Sequence, residues 1–175
     1  MLTNKPLYKR WMPSILLIPI VVLLIINGGR TIFLLDTIDL LIHEGGHGIF
    51  KIFGEGFLYT LGGTLMQIII PSLFVGYYFY TRKKFITQLS LLWLGHNFMN
   101  IGIYAADAQE RALPLLGGKK VYHDWHYMLR ELQLIKYVDV VGQIFFWLGI
   151  VSFVLVFLIP TIIKDYDEVS LDLKT

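Results

Sequence analysis

The sequence predicts an all-α fold, a polytopic helical bundle integral to a membrane, and three observations predict it. The chain is 55% hydrophobic and only 16% charged, with a mean hydropathy of +0.62, where soluble domains carry roughly a quarter of their residues charged. Five apolar stretches approach the length of about 20 residues that a helix needs to cross a bilayer core. No internal repeat, heptad run or low-complexity tract separates them, so the 175 residues read as a single membrane domain.

The five expected spans run over about 11 to 28, 31 to 53, 60 to 80, 85 to 109 and 138 to 162. The first follows Lys5, Lys9 and Arg10 as the apolar run of a signal peptide would. Asn27-Gly28-Gly29-Arg30 offers no small-x-small cleavage site, so it is read as a span. The second carries Asp36, Asp39, His43, Glu44 and His47. Each ionised group at the hydrocarbon centre costs roughly 2.5 to 3.5 kcal/mol, so this helix cannot face lipid all round and is expected to be enclosed by the others. The third opens on the small face Gly62-Gly63-Thr64. Between the fourth and fifth, Trp125, Met128, Leu129, Leu132 and Ile135 recur at helical spacing. That pattern predicts an interfacial amphipathic helix over about 125 to 136, with Trp125 at headgroup level and Asp124 as its N-cap. The Asp165-Tyr166-Asp167-Glu168 segment reads as a solvated acidic end.

If all five stretches span, nine Lys and Arg residues fall on the side of the N terminus and six on the other. The N terminus is therefore expected on the cytoplasmic side, in a cytoplasmic membrane of bacterial type. A net charge of +2, scattered among loops, argues against a nucleic-acid partner. With no cysteine, disulfides and thiolate metal sites are excluded, which leaves imidazole and carboxylate as ligands.

The residues that carry chemistry are His43-Glu44-Gly45-Gly46-His47. On a helix, histidines four apart share one face and can grip a single divalent metal, with Glu44 placed as general base of a zinc hydrolase. The bland reading is a polar patch between helices, its histidines satisfied by neighbours. A metal ion is the simplest compensation for three ionisable groups within five apolar-embedded residues.

Catalytic zinc usually takes three protein ligands and keeps one position open, so a third ligand must come from elsewhere in the fold. His96, Asp107, His123, Asp124 and His126 are the candidates. A fourth span running back toward the cytoplasm puts Asp107 level with the motif and His96 about 16 Å further along. Asp107 is thus the expected third ligand, with Asp124 and His123 as alternates and His126 as an interface residue. Asp39, four residues before His43, is placed to accept the imidazole N–H that a metal leaves free. Gln67 is read as a contact for a substrate backbone or for a neighbouring carbonyl.

The pattern resembles the site-2 protease family of intramembrane zinc metalloproteases. His43, Glu44 and His47 match its H-E-x-x-H motif, and Gly63-Thr64-Leu65-Met66-Gln67 echoes a segment of the G-P-x-x-N type, with Thr for Pro and Gln for Asn. Asn100 stands about two helical turns before Asp107, as in the family's N-P-x-x-x-x-D-G stretch, though without its prolines and Asp-Gly pair, which leaves Asp124 open. The resemblance covers about residues 31 to 110. It implies a Zn2+ cofactor, an aspartate ligand, substrate positioning by Gln67 and Asn100, and a transmembrane protein or peptide cut at a peptide bond. Two other classes fit the same residues: a noncatalytic membrane protein that binds or senses zinc, and a membrane subunit without metal whose polar face pairs with another chain.

Overall fold

The computed structural model describes residues 7–28, 33–113 and 122–163, and all of its regular structure is helical. The acidic 165–168 segment lies outside the described residues. Six helices follow in order: α1 (Leu7–Asn27), α2 (Phe33–Phe50), α3 (Phe57–Tyr80), α4 (Lys84–Ala106), α5 (Asp124–Glu131) and α6 (Val138–Ile162). A 3-10 turn, Lys51–Phe53, extends α2, and another, Ile135–Tyr137, leads into α6.

Three of these segments are long and apolar enough to cross a membrane: Tyr8–Asn27, Phe57–Tyr80 and Ile135–Ile162. Of the five expected spans, three meet that measure of length and composition. The second and fourth stretches are helices at the expected places. However, α2 has 18 residues and carries Asp36, Asp39 and Glu44, while α4 is interrupted by Gln88, His96, Asn97 and Asn100.

The polar side chains of α2 are sorted by face. At 100° per residue, Asp36, Asp39, His43, Gly46 and His47 fall within an arc of roughly 100°. Asp39, His43, Gly46 and His47 are buried, whereas Leu34, Ile38, Leu41 and Ile49 on the remaining surface are exposed. The helix is thus polar inward and apolar outward, the inverse of a helix in a soluble domain.

α4 is the central helix. One core joins Leu17, Val21 and Leu24 of α1 to Leu91, Leu92 and Met99 of α4 and to Phe153, Val156 and Ile159 of α6. Packing between α4 and α6 is close because glycines stand seven apart on both, Gly95 and Gly102 facing Gly149 and Gly142. A Cβ on Gly142 would lie 2.9 Å from both Ala106 Cβ and Gly102 O, so only small residues allow this approach. Buried polar bonds add direction. Pro160 has no N–H for the Val156 carbonyl one turn earlier, and Gln88 Nε2 takes up that carbonyl at 2.8 Å while also donating to Ser14 Oγ at 2.7 Å. One proline-freed acceptor thereby ties α1, α4 and α6 together.

On the other side of α4 lie α3 and then α2. Gly46 meets the Gly62 backbone, and neither position has room for a Cβ. α2 reaches α4 chiefly through side chains rather than by close backbone packing. α5 closes the end of this half. Trp125, Met128 and Leu129 are buried with Ile101, Ala105 and Val138, and the Trp125 ring meets Phe145 edge-on at 5.4 Å. The apolar stripe expected to lie on lipid is covered instead by α3, α4 and α6. The helix is also shorter than expected, ending at Glu131 with Leu132 exposed.

Candidate metal centre

His43 and His47 leave the inward face of α2 on successive turns, and their rings meet edge to face with centroids 4.7 Å apart. Each Nδ1 is engaged. His43 Nδ1 donates to Gln67 Oε1 on α3 at 2.9 Å, and His47 Nδ1 donates to the Tyr59 carbonyl at 2.9 Å. An imidazole that spends its proton on Nδ1 presents a bare lone pair at Nε2. Both Nε2 atoms point to one place, 3.0 Å from each other.

The third group at that place is the Asp124 carboxylate. Its Oδ2 lies 2.9 Å from His43 Nε2 and 3.3 Å from His47 Nε2. Sequence position alone gives Asp124 no obvious route there. The route is a change of cap: His123, not Asp124, is the N-cap of α5, its Nδ1 accepting from the His126 backbone N–H at 3.2 Å. Relieved of that role, Asp124 occupies the first helical position with its carboxylate free to turn inward. Tyr104 on α4 fixes it from the other side, its hydroxyl accepting from Asp124 N at 3.2 Å and donating to Oδ2 at 3.4 Å. The Tyr104 ring also lies on the His123 ring, with centroids 4.2 Å apart.

Asp107 is placed elsewhere. It is the C-cap residue of α4, and its carboxylate accepts from the backbone N–H groups of Ala112 at 2.9 Å and Leu113 at 3.1 Å, folding the chain back after the helix. Its Oδ2 is also 3.3 Å from His123 Nε2. Asp107 therefore supports the capping histidine behind Asp124, while Asp124 stands where Asp107 was expected. Depth along the helix, the ground for expecting Asp107, places a residue at the right level without telling which way its side chain turns.

Electrostatics follow from these contacts. Burial raises the Asp124 carboxyl, while the imidazoles of His43 and His47, when they carry a proton toward it, outweigh burial and lower it to about 2. Burial pushes the His123 imidazole down despite the neighbouring Asp107. Glu44 is exposed on the flank of the polar face, makes no hydrogen bond among the described residues, and lies close enough for its charge to act on His47 and Tyr104.

The donor set fits a divalent ion on geometric grounds. Four ligands at 2.0–2.1 Å in a tetrahedron are about 3.3–3.4 Å from one another, so separations of 2.9, 3.0 and 3.3 Å are those of a slightly contracted tetrahedral face. Two bare imidazole nitrogens at 3.0 Å repel unless something positive lies between them. Among the described residues three protein atoms converge there, which leaves a fourth position open.

The remaining expected residues fall into two groups. Gln67 holds His43, the part expected of Asp39. Asp39 instead accepts from Trp93 Nε1 at 2.7 Å and Asn97 Nδ2 at 3.1 Å, because its place on the α2 arc turns it toward α4 rather than along its own helix. Asn100 donates to Asp36 at 3.5 Å, and His96 Nε2 contacts Asp36 Oδ1 at 2.9 Å, so both belong to a separate polar cluster. His126 Nδ1 is bonded to the Ala108 carbonyl at 2.7 Å and pins α5 to the end of α4. Tyr59, Gly63 and Tyr104 carry parts that sequence reasoning missed. Gly63 was legible only as a small packing residue, yet a Cβ there would come within 2.6 Å of His43 Nε2. Comparison with protein-family models, with curated proteins and with solved structures finds no match for this chain.

Proposed function

We propose that this chain is a zinc-dependent hydrolase that cleaves peptide bonds of membrane-embedded substrates, with His43, His47 and Asp124 as the metal ligands and Glu44 as the general base. One observation carries the reading: two Nε2 atoms with satisfied Nδ1 partners and the Asp124 carboxylate converge within 3.3 Å beside an unengaged glutamate. In this reading α2 and α4 also cross the membrane, as inner helices of a five-span bundle whose N terminus is cytoplasmic. Their inward polar faces and the exposed apolar faces of α2 support that arrangement.

A zinc ion bound at such a site polarises a carbonyl and lowers the pKa of water toward 7. The chain's own groups supply the rest. Gln67 and the Tyr59 carbonyl hold the two imidazoles in the tautomer that leaves Nε2 bare, and Tyr104 holds Asp124. Glu44 takes a proton from the attacking water as its oxygen adds to the scissile carbonyl carbon, then returns that proton to the amine nitrogen as the C–N bond breaks. The substrate helix must unwind locally beforehand, since its backbone groups are paired internally. Peptide as the substrate class rests on the resemblance of the His43–His47 motif, and metal-assisted hydrolysis on the geometry.

A closed structural zinc site would need a fourth protein ligand, and the three-donor set among the described residues favours an open, catalytic position. Glu44→Gln is the test. The variant is expected to keep its zinc while cleavage of helix-broken transmembrane peptides falls by about 10² to 10⁴-fold. Undiminished cleavage, or purified protein that neither carries nor takes up zinc, rejects the proposal.

A further inference from the structure

A second polar cluster lies on the same face of α2, one to two turns toward its N terminus, and the hydrolase reading does not use it. Asp36, Asp39 and His96 bring ligand atoms within 4.8 Å of one another. His96 Nε2 is 2.9 Å from Asp36 Oδ1 and 3.5 Å from Asp39 Oδ2. His96 and Asn97 are fully enclosed, and Asp39 is 1% exposed.

This cluster is short of positive charge in a definite place. Asp39 Oδ1 accepts from Trp93 and Asn97, but Oδ2, among the converging atoms, has no hydrogen-bond partner. Asn97 Oδ1 and His96 Nδ1 also have none. Asp39 Oδ2 is an acceptor, so a donor or a cation is what it lacks. A proton on His96 Nε2 directed at Asp36 leaves Asp39 Oδ2 as a bare oxygen, whereas a single cation between the three atoms meets both carboxylates and the imidazole lone pair.

We propose that Asp36, Asp39 and His96 form a second divalent-cation site. The donor set of one imidazole nitrogen and two carboxylates suits an ion of the zinc, manganese or ferrous class. By helix rise the two clusters stand about 11 Å apart on α2, too far to share a ligand or form a bridged pair. The site is thus independent of the first and does not rest on the hydrolase reading.

The experiment counts zinc on the full chain in mild detergent, by equilibrium dialysis against buffered Zn2+ followed by elemental analysis. A His43→Ala/His47→Ala variant, which lacks the first centre, is expected to retain one equivalent. Asp39→Asn/His96→Gln, near-isosteric at both positions, is expected to bind one equivalent fewer than the wild type. Co2+ supplies a spectroscopic check: its visible bands in the His43→Ala/His47→Ala protein are expected to vanish when Asp39→Asn is added. Retention of no metal in the first variant, or an undiminished count in the second, overturns the proposal. Because the first variant reports the second site alone, failure of the hydrolase reading leaves this result intact.

Discussion

Asp107 and Asp124 carry the same carboxylate, and only the local backbone separates their roles. Asp107 ends α4, where the N–H groups of Ala112 and Leu113 turn back within its reach and occupy both its oxygens. Asp124 begins α5, where His123 has taken over the capping, so its carboxylate is left to meet His43 and His47. Asp124→Asn is therefore expected to weaken zinc binding by on the order of 100-fold or more, the loss of a ligand exceeding the loss of an outer contact. Asp107→Asn, which acts through His123, is expected to weaken it by about 10-fold, with zinc titration against a competing chelator as the measurement. Equal effects would place Asp107 on the metal instead. At this scale His43, Glu44 and His47 are legible in the sequence because helical spacing alone puts both histidines on one face. Gln67 is legible only as an amide of undecided partner. The choice between Asp107 and its alternate Asp124 was not legible, since two carboxylates near the same membrane level differ only in side-chain direction.

Between elements, the α2–α3 seam governs the shape of the site. Gly46 and Gly62 let the two backbones touch, and Gly63 leaves the space that the His43 ring fills. A Cβ on Gly63 would lie 2.6 Å from His43 Nε2 and Cε1, inside any allowed contact. Gly63→Ala is expected to turn the ring off Gln67 and lower zinc affinity by about 10 to 100-fold. Gly45→Ala, whose Cβ would meet nothing within 4 Å, is expected to leave affinity unchanged and serves as the control. Loss of binding in both variants would point to helix disruption rather than to crowding of His43. Sequence shows that the glycines of α2 and α3 are small. It does not show which of them touch, because that depends on the rotation of each helix about its axis. α5 makes the same point: its apolar stripe predicts a buried face equally well for lipid or protein, and only the packing of α3, α4 and α6 decides for protein.

For the whole molecule, the proposed five-span topology can be read directly, because the chain has no cysteine of its own. Single substitutions Glu55→Cys and Glu110→Cys are expected to react with a membrane-impermeant maleimide from the cytoplasmic side, and Arg82→Cys from the opposite side. Arg82 reacting on the same side as Glu55 would remove α3 as a span, and Glu110 reacting on the side of Arg82 would remove α4. The pattern also tests whether the polar helix α4 crosses the bilayer or only packs against the apolar ones. By itself the sequence determined an all-helical chain with apolar stretches at the places where α1, α3 and α6 form, and a histidine pair on one face of α2. Periodicity and hydropathy are properties of neighbours along the chain, so they survive without knowledge of the fold. Only the tertiary structure decided that Asp124 joins that pair, that Asp39 turns to His96, and that α5 is covered by protein. The first two contacts join residues 81 and 57 positions apart, and the geometry of all three is set by how the helices pack and rotate against one another.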